Sequence, residues 1–297
     1  MPAEFLFPKV LAWEVTRRCP MKCRHCRAAA ADLAYADELS TDECRAVIDS
    51  LAAGRPPMII WTGGEPMTRD DLPELVAHAT SRGIRSVMAP CGLLVTEARL
   101  RALKDAGIRA CSFSIDGPDA AAHDAFRGVP GAFERVCSAI DVARRIGLPF
   151  QINTTVSRLN VERLDEIRAL AVELGASRLD LFFLVTVGRG RALAPLALDD
   201  VQTRRVLDWM AAGGELPMKA TCCPSGPTGC LGGRGFAFLS HVGTLQTCGF
   251  IEAPCGSIRE HGLDFRELVA AAANPLGECG NCRTHHDKFT LPEAAQK

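Results

Sequence analysis

Val10-Leu-Ala-Trp-Glu-Val-Thr16, followed after two arginines by Cys19-Pro-Met-Lys-Cys23-Arg-His-Cys26, decides how this chain folds. The first segment has the apolar, aromatic and β-branched make-up of a buried strand. The second places three thiols at the spacing C-x3-C-x2-C, in the loop that leaves that strand. Moving outward, the pattern repeats. Strands are expected at Val10–Thr16, Met58–Thr62, Ile84–Ala89, Ala110–Ile115, Phe150–Val156 and Leu179–Val185. Helical patterns lie between them: Thr41–Ala53 behind the N-cap Ser40, then Asp70–Ser81, Thr96–Ala106, Ala132–Ile146 and Val161–Leu174. The last four stop just before Gly83, Gly107, Gly147 and Gly175, where glycine closes a helix in the left-handed region. Six β-α repeats imply a parallel sheet with right-handed crossovers. The expected fold class is α/β, a partial or full β/α barrel with its chemistry at the carboxyl ends of the strands. An open doubly wound sheet is the second architecture.

Composition narrows the classes. The chain has 297 residues, 47% hydrophobic and 23% charged, with formal charge -1. That is enough for one large domain and an appendage, and bulk disorder is excluded. A balanced charge argues against nucleic acid as a partner. No apolar run approaches the ~20 residues of a membrane helix. The opening MPAEFLFPKV is not a signal peptide, so the expected location is the cytoplasm. The 14 cysteines are the anomaly. They are too sparse for a small disulfide scaffold, which exceeds ~8–10%. Without an export signal they point to thiolate ligation of metal.

After the helical pattern Asp199–Ala212 the texture turns rich in Gly, Pro and Cys. Two short strands, Phe236–Ser240 and Thr244–Thr247, read as a hairpin around His241-Val-Gly243. A helix near Asp264–Ala273 and Cys279-Gly-Asn-Cys282 follow. The expected division is 1–212 for the barrel and 213–297 for a small cysteine-rich domain.

Three thiolates in one loop can hold a 4Fe-4S cubane while leaving one iron open, whereas structural zinc prefers four protein ligands. The second strand ends in Trp61-Thr-Gly-Gly-Glu-Pro66. Its glycines permit close backbone approach, and its carboxylate can accept from an ammonium group. Cys230, Cys248, Cys279 and Cys282 form a second constellation, which suits one further cluster or tetrahedral zinc. Cys222, Cys223 and Cys255 are spare. Cys44, Cys111 and Cys137 read as core thiols. Cys91 lies at a strand end facing the first cluster.

On these motifs the chain resembles the radical S-adenosylmethionine (SAM) enzymes. The resemblance implies a partial (β/α)6 radical SAM barrel with a 4Fe-4S cluster on Cys19, Cys23 and Cys26. It implies that His25 lies against adenine and that Gly63, Gly64, Glu65 and Pro66 hold the methionine amino group. Ser114 and Asp116 resemble ribose contacts in relatives. Asn153 and Arg127 are candidate partners of ribose and carboxylate, with a structural salt bridge the equal alternative for Arg127. The hairpin with its cysteines resembles the auxiliary-cluster appendage called a twitch domain, a shortened SPASM. With no cysteine in Arg283–Lys297, one auxiliary 4Fe-4S cluster is expected, on Cys230, Cys248, Cys279 and Cys282.

The resemblance narrows through Leu11-Ala-Trp-Glu-Val-Thr-Arg-Arg-Cys19, His25-Cys-Arg-Ala28, Phe126-Arg-Gly-Val-Pro-Gly-Ala-Phe133, Gln151-Ile-Asn-Thr-Thr-Val156 and Gly229-Cys-Leu-Gly-Gly-Arg-Gly-Phe236. These look like the alternative haem-biosynthesis branch, which decarboxylates Fe-coproporphyrin III or modifies sirohaem. It implies a tetrapyrrole substrate, oxidative decarboxylation of propionates, and a reducing donor such as flavodoxin or ferredoxin. Arg17, Arg18, Lys22, Arg24, Arg27, Arg189 and Arg191 suit substrate carboxylates or are ordinary solvated cations. The alternative is a maturase acting on a ribosomally made peptide. The short stretch before Cys19 counts against the leader-binding extension such enzymes carry. A third reading is a non-catalytic zinc or cluster protein. His285 and His286 are candidate axial ligands.

Overall fold

The computed structural model describes residues 3–4, 6–54, 56–221, 231–251 and 253–274. In chain order these form β1 (Ala3–Glu4), β2 (Val10–Glu14), α1 (Thr41–Ala52), β3 (Met58–Thr62), α2 (Leu72–Ser81), β4 (Ser86–Met88), α3 (Glu97–Ala106) and β5 (Ile108–Ser114). Next come α4 (Ala120–Arg127), α5 (Ala132–Arg145), β6 (Phe150–Val156), α6 (Leu164–Glu173), β7 (Leu179–Phe183), α7 (Asp200–Ala211) and β8 (Met218–Thr221). The last are β9 (Phe236–Leu239), β10 (Thr244–Gln246), β11 (Gly256–Ser257), α8 (Phe265–Ala271) and β12 (Ala273–Asn274).

The main sheet has ten strands in the order β11-β10-β9-β2-β3-β4-β5-β6-β7-β8. From β9 to β8 every pairing is parallel, while β9, β10 and β11 are antiparallel. The consecutive strands β2 to β8 are neighbours throughout. A doubly wound sheet would reverse direction at its middle, so this order selects the partial barrel. The six expected strands are present as β2 to β7. The structure adds β8 at one edge and sets β9, the first hairpin strand, beside β2 at the other.

Local chemistry explains the helices. Ser40 and Glu43 form a reciprocal capping box on α1, as Asp199 and Gln202 do on α7. Thr96 and Asp119 cap α3 and α4 through their side chains. Gly83, Gly107, Gly147 and Gly175 all have positive φ, as their positions require. Two departures from the expected helices bear on the site. Helix α4 sits in a stretch with no assigned pattern, and Val161–Arg163 is a 3-10 turn ahead of α6.

Strand alternation sorts the two faces. Phe150, Ile152, Thr154 and Val156 are buried, while Gln151, Asn153 and Thr155 lie half-buried on the other face. Leu11 and Trp13 pair with Ile59 and Trp61, and join Val47, Ile48, Leu51, Leu75 and Val76 from α1 and α2 in the main core. The two indoles stack at 5.6 Å, worth about 0.5–1.5 kcal/mol beyond their burial. Glu14 and Thr62 therefore face the barrel interior. Among the described residues no helix is long and apolar enough to cross a membrane.

Candidate active site

The cysteine loop leaves β2 and is fastened from several directions. The Gly64 amide donates to the Thr16 carbonyl at 2.8 Å and the Glu65 amide to that of Arg18 at 2.8 Å. A Cβ on Gly63 would overlap the Thr16 carbonyl oxygen, and one on Gly64 those of Arg17 and Arg18. These glycines are required because the loop after β3 lies backbone-to-backbone on the loop after β2. From the loop after β7, Arg189 donates to the carbonyls of Cys23 at 2.8 Å and Ala30 at 2.6 Å, and its own amide donates to Cys26. From the end of α4, the Phe126 carbonyl accepts from the Arg24 amide at 3.1 Å.

Cys19 and Cys23 are buried and Cys26 is partly exposed. Burial pushes the Cys19 thiol up to about 12 and raises that of Cys23, against the pull of Arg127. Such thiols become thiolates when a metal supplies positive charge. Among the described residues no three His, Cys, Asp or Glu side chains converge as one ion requires. Three thiols spread along one fastened loop suit a multi-iron cluster, each on its own iron. The residues present thus fit a three-cysteine 4Fe-4S centre.

Around this loop the expected partners take definite places. His25 stacks on Phe126 with centroids 4.3 Å apart, and its Nδ1 is buried without a partner. Burial lowers its pKa to about 4, so the ring is neutral at physiological pH. Glu65 is fully buried; its carboxylate accepts from the Met67 amide at 3.0 Å and the Cys91 amide at 2.5 Å. Burial raises its pKa. Pro66 opens a 3-10 turn that Glu65 caps. Cys91 packs against the small buried cluster that contains Cys19, Met21, Cys23, Ala30 and Ala132.

Asp116 and Arg127 form a buried pair at 2.6 Å, with Asp116 also accepting from the Thr155 amide at 2.7 Å. Arg127 reaches the Cys23 Sγ at 3.8 Å. The salt bridge considered for Arg127 is thus present, and the same guanidinium reaches Cys23. Ser114 and Asn153 are register partners on β5 and β6. The Asn153 Oδ1 accepts from Gln151, which also donates to Asp180.

Glu14 is a site residue that sequence reading passed over. It is fully buried at the end of β2 and pairs with Arg17 at 2.8 Å and Arg27 at 3.0 Å. Burial opposes its ionisation, but His241 with Arg27 and Arg17 holds it down to about 2. His241 Nδ1 lies 3.3 Å from Glu14 Oε1, at ion-pair distance without hydrogen-bond alignment. The available signal was a charged residue on the inward phase of an otherwise apolar strand.

Of the second constellation, Cys248 is described and partly exposed, while burial pushes the spare Cys255 thiol up to about 11. Cys222, Cys223, Cys230, Cys279, Cys282, His285 and His286 lie outside the described residues. Cys44 and Cys111 are buried in the core as expected, with Cys137 half-buried on α5.

A parallel barrel whose first loop carries this thiol set, locked to Gly63–Pro66, defines a class of cluster-bearing enzyme. The family model described as the Radical SAM superfamily matches residues 13–171, and the chain belongs to that superfamily. The family implies a 4Fe-4S cluster and SAM. The chain is 40% identical to the AdoMet-dependent heme synthase of Nitratidesulfovibrio vulgaris, over 93% of this chain and 85% of that protein. It is also 40% identical to that of Methanosarcina barkeri, over 93% of this chain and 88% of the relative. The similarity therefore falls in the haem-biosynthesis branch. Among solved structures, Streptococcus suis SuiB bound to S-adenosylmethionine superposes with a TM-score of 0.69 at 14% identity, covering 91% of this chain and 67% of SuiB. That likeness shows the fold.

Proposed function

We propose that this chain cleaves SAM reductively and uses the 5′-deoxyadenosyl radical to decarboxylate propionate side chains of a tetrapyrrole in haem biosynthesis. The observation that carries the reading is the fastening of the three-thiol loop to Gly63–Pro66 through Gly64 and Glu65. Similarity to two heme synthases over 93% of the chain supports the substrate class.

Cys19, Cys23 and Cys26 hold the cluster, which when bound supplies the electron that splits the sulfonium. Gly63, Gly64, Glu65 and Pro66 present the turn that receives the methionine amino group. His25, neutral and wedged on Phe126, sets a flat edge beside adenine. Ser114 and Asn153 offer hydroxyl and amide groups to the ribose. Asp116 and Arg127 brace Cys23 from behind. Hydrogen abstraction from a propionate β-carbon, followed by loss of carbon dioxide and one electron, leaves a vinyl group. The released electron needs an acceptor; Cys230, Cys248, Cys279 and Cys282, in the segment 213–297, would hold a second 4Fe-4S cluster, which would supply one. A flavodoxin or ferredoxin in the cytoplasm is the proposed donor.

The test is anaerobic turnover of reconstituted protein with SAM, a strong reductant and Fe-coproporphyrin III, read by mass spectrometry. Substrate-dependent 5′-deoxyadenosine with stepwise loss of carbon dioxide is expected. Deoxyadenosine with unchanged porphyrin would keep the radical chemistry and redirect the substrate search to sirohaem derivatives or peptides. None at all, from cluster-loaded protein, would overturn the reading.

A further inference from the structure

Seven basic residues flank the cluster loop or follow β7, and the structure separates their tasks. Arg18 pairs with Asp32 at the surface. Arg189 is spent on the carbonyls of Cys23 and Ala30. Arg17 binds Glu14, and Arg191 is engaged as well. Lys22 and Arg24 are exposed. Arg27 differs from all of these. It follows Cys26 directly, and its guanidinium lies 4.3 Å above the Phe238 ring of β9. Phe238 is the register partner of Ala12, on the same face of the sheet as Glu14, opposite the Trp13 face that packs on the helices. Arg27 therefore lines the barrel interior at the mouth.

Its geometry is fixed before any ligand arrives. Nη2 donates to Glu14 at 3.0 Å and Nη1 to the Gly249 carbonyl at 3.4 Å. A Cβ at Gly249 would lie 3.0 Å from Arg27 Nε and 3.2 Å from Phe238, a tight contact that glycine avoids. A guanidinium carries five N–H donors, and these two bonds are its hydrogen bonds among the described residues. Its side chain remains 20% exposed. Two guanidiniums share the one Glu14 carboxylate, which leaves a unit of positive charge in this trio. A planar, preorganised fork with unspent donors is suited to a carboxylate.

We infer that Arg27, held by Glu14, Phe238 and Gly249, is the anchor for a propionate carboxylate of the substrate. This rests on the tetrapyrrole reading above. The same chemistry could serve the carboxylate of SAM, and the experiment separates the two. Reconstituted full-length protein and R27Q are titrated anaerobically with Fe-coproporphyrin III, followed by the Soret shift, and separately with SAM by equilibrium dialysis. R27Q should bind the tetrapyrrole about 10–100-fold more weakly, as expected for losing a charge-assisted hydrogen bond. Its tetrapyrrole affinity should also depend less on salt, while its SAM affinity and cluster absorption stay as in the wild type. If R27Q does not fold, R27K carries the test. A lysine keeps the charge but cannot hold Glu14 and a second carboxylate in one plane, so it should weaken tetrapyrrole binding in the same direction. Unchanged tetrapyrrole affinity in either folded variant overturns the inference and leaves the tetrapyrrole reading standing. A matching loss of SAM affinity overturns it by assigning the anchor to SAM. Failure of the wild type to bind Fe-coproporphyrin III overturns both.

Discussion

Asp116 shows how a single side chain can be both structural and close to chemistry. Its side chain has no exposed surface, and its two oxygens are taken by Arg127 and the Thr155 amide. Burial opposes its charge, but Arg127, His25 and His123 nearby with the Thr155 amide hold its pKa below the ordinary 3.8. A carboxylate with a lowered folded value contributes stability above its ordinary pKa and loses it only as pH falls through the lowered one. The Asp116 contribution is thus complete at neutral pH. Asp116→Asn preserves shape but leaves the Arg127 cation buried and unneutralised. We expect a loss of about 3–5 kcal/mol in anaerobic denaturant unfolding. Adding Arg127→Gln should restore part of it, because the stranded charge is then gone. A single variant as stable as the wild type would show that Cys23 and solvent already compensate Arg127.

At the scale of elements, the loop after β3 is held to the loop after β2 by the backbone bonds of Gly64 and Glu65, with the Arg69 side chain donating to the Val15 carbonyl at 3.0 Å beside them. Gly64→Ala would drive a Cβ into two carbonyl oxygens and separate the turn from the cysteine loop. Overpacking of this kind costs about 1–3 kcal/mol, and the Gly64 and Glu65 backbone hydrogen bonds would go with it. SAM affinity should fall at least about tenfold, since the turn would no longer face the cluster at fixed distance. Gly83→Ala is the control. It has positive φ and nothing within 4 Å, so it costs about 1–2 kcal/mol of backbone strain and leaves SAM binding intact. Equal SAM affinity in both variants would contradict the clamp. Much of this was legible in the sequence. The parallel strands, the helix stops at glycine and the motif loops all rest on short-range pattern. What was not legible is what neighbours decide. Ala120–Arg127 is a short helix whose C-terminal Phe126 serves as a platform for His25, a role without periodicity. Met218–Thr221 is four residues long and becomes a strand because β7 offers an open edge. Glu14 reads as an interruption of a strand until Arg17, Arg27 and His241 surround it.

Taken as a whole, the molecule does not end its core where its sequence changes texture. Strand β9 pairs in parallel with β2 from Val10 to Trp13, so the hairpin closes the edge that the first barrel strand would otherwise leave open. Helix α8 packs on α1, the Phe265 amide donates to the Ser50 Oγ, and Phe265 meets Phe7 edge-on at 5.6 Å. Arg259 ties the same segment to Glu43 on α1 at 2.7 Å. Phe238, Leu239, Leu245, Ile258, Phe265 and Leu268 are all nearly inaccessible. At about 1.5–3 kcal/mol each, they represent on the order of 10 kcal/mol, comparable with the entire stability of an ordinary domain at about 5–15 kcal/mol. A chain cut after Thr221 keeps Cys19, Cys23 and Cys26 and all of Gly63–Pro66. It should nevertheless fail to fold, since it loses that burial and exposes a row of unpaired backbone groups along β2. Size-exclusion chromatography and far-UV circular dichroism of the cut chain should report aggregate or unfolded protein. A monomer with a cooperative melt would instead mean that the barrel carries its own stability, and that the hairpin segment serves the mouth of the site alone.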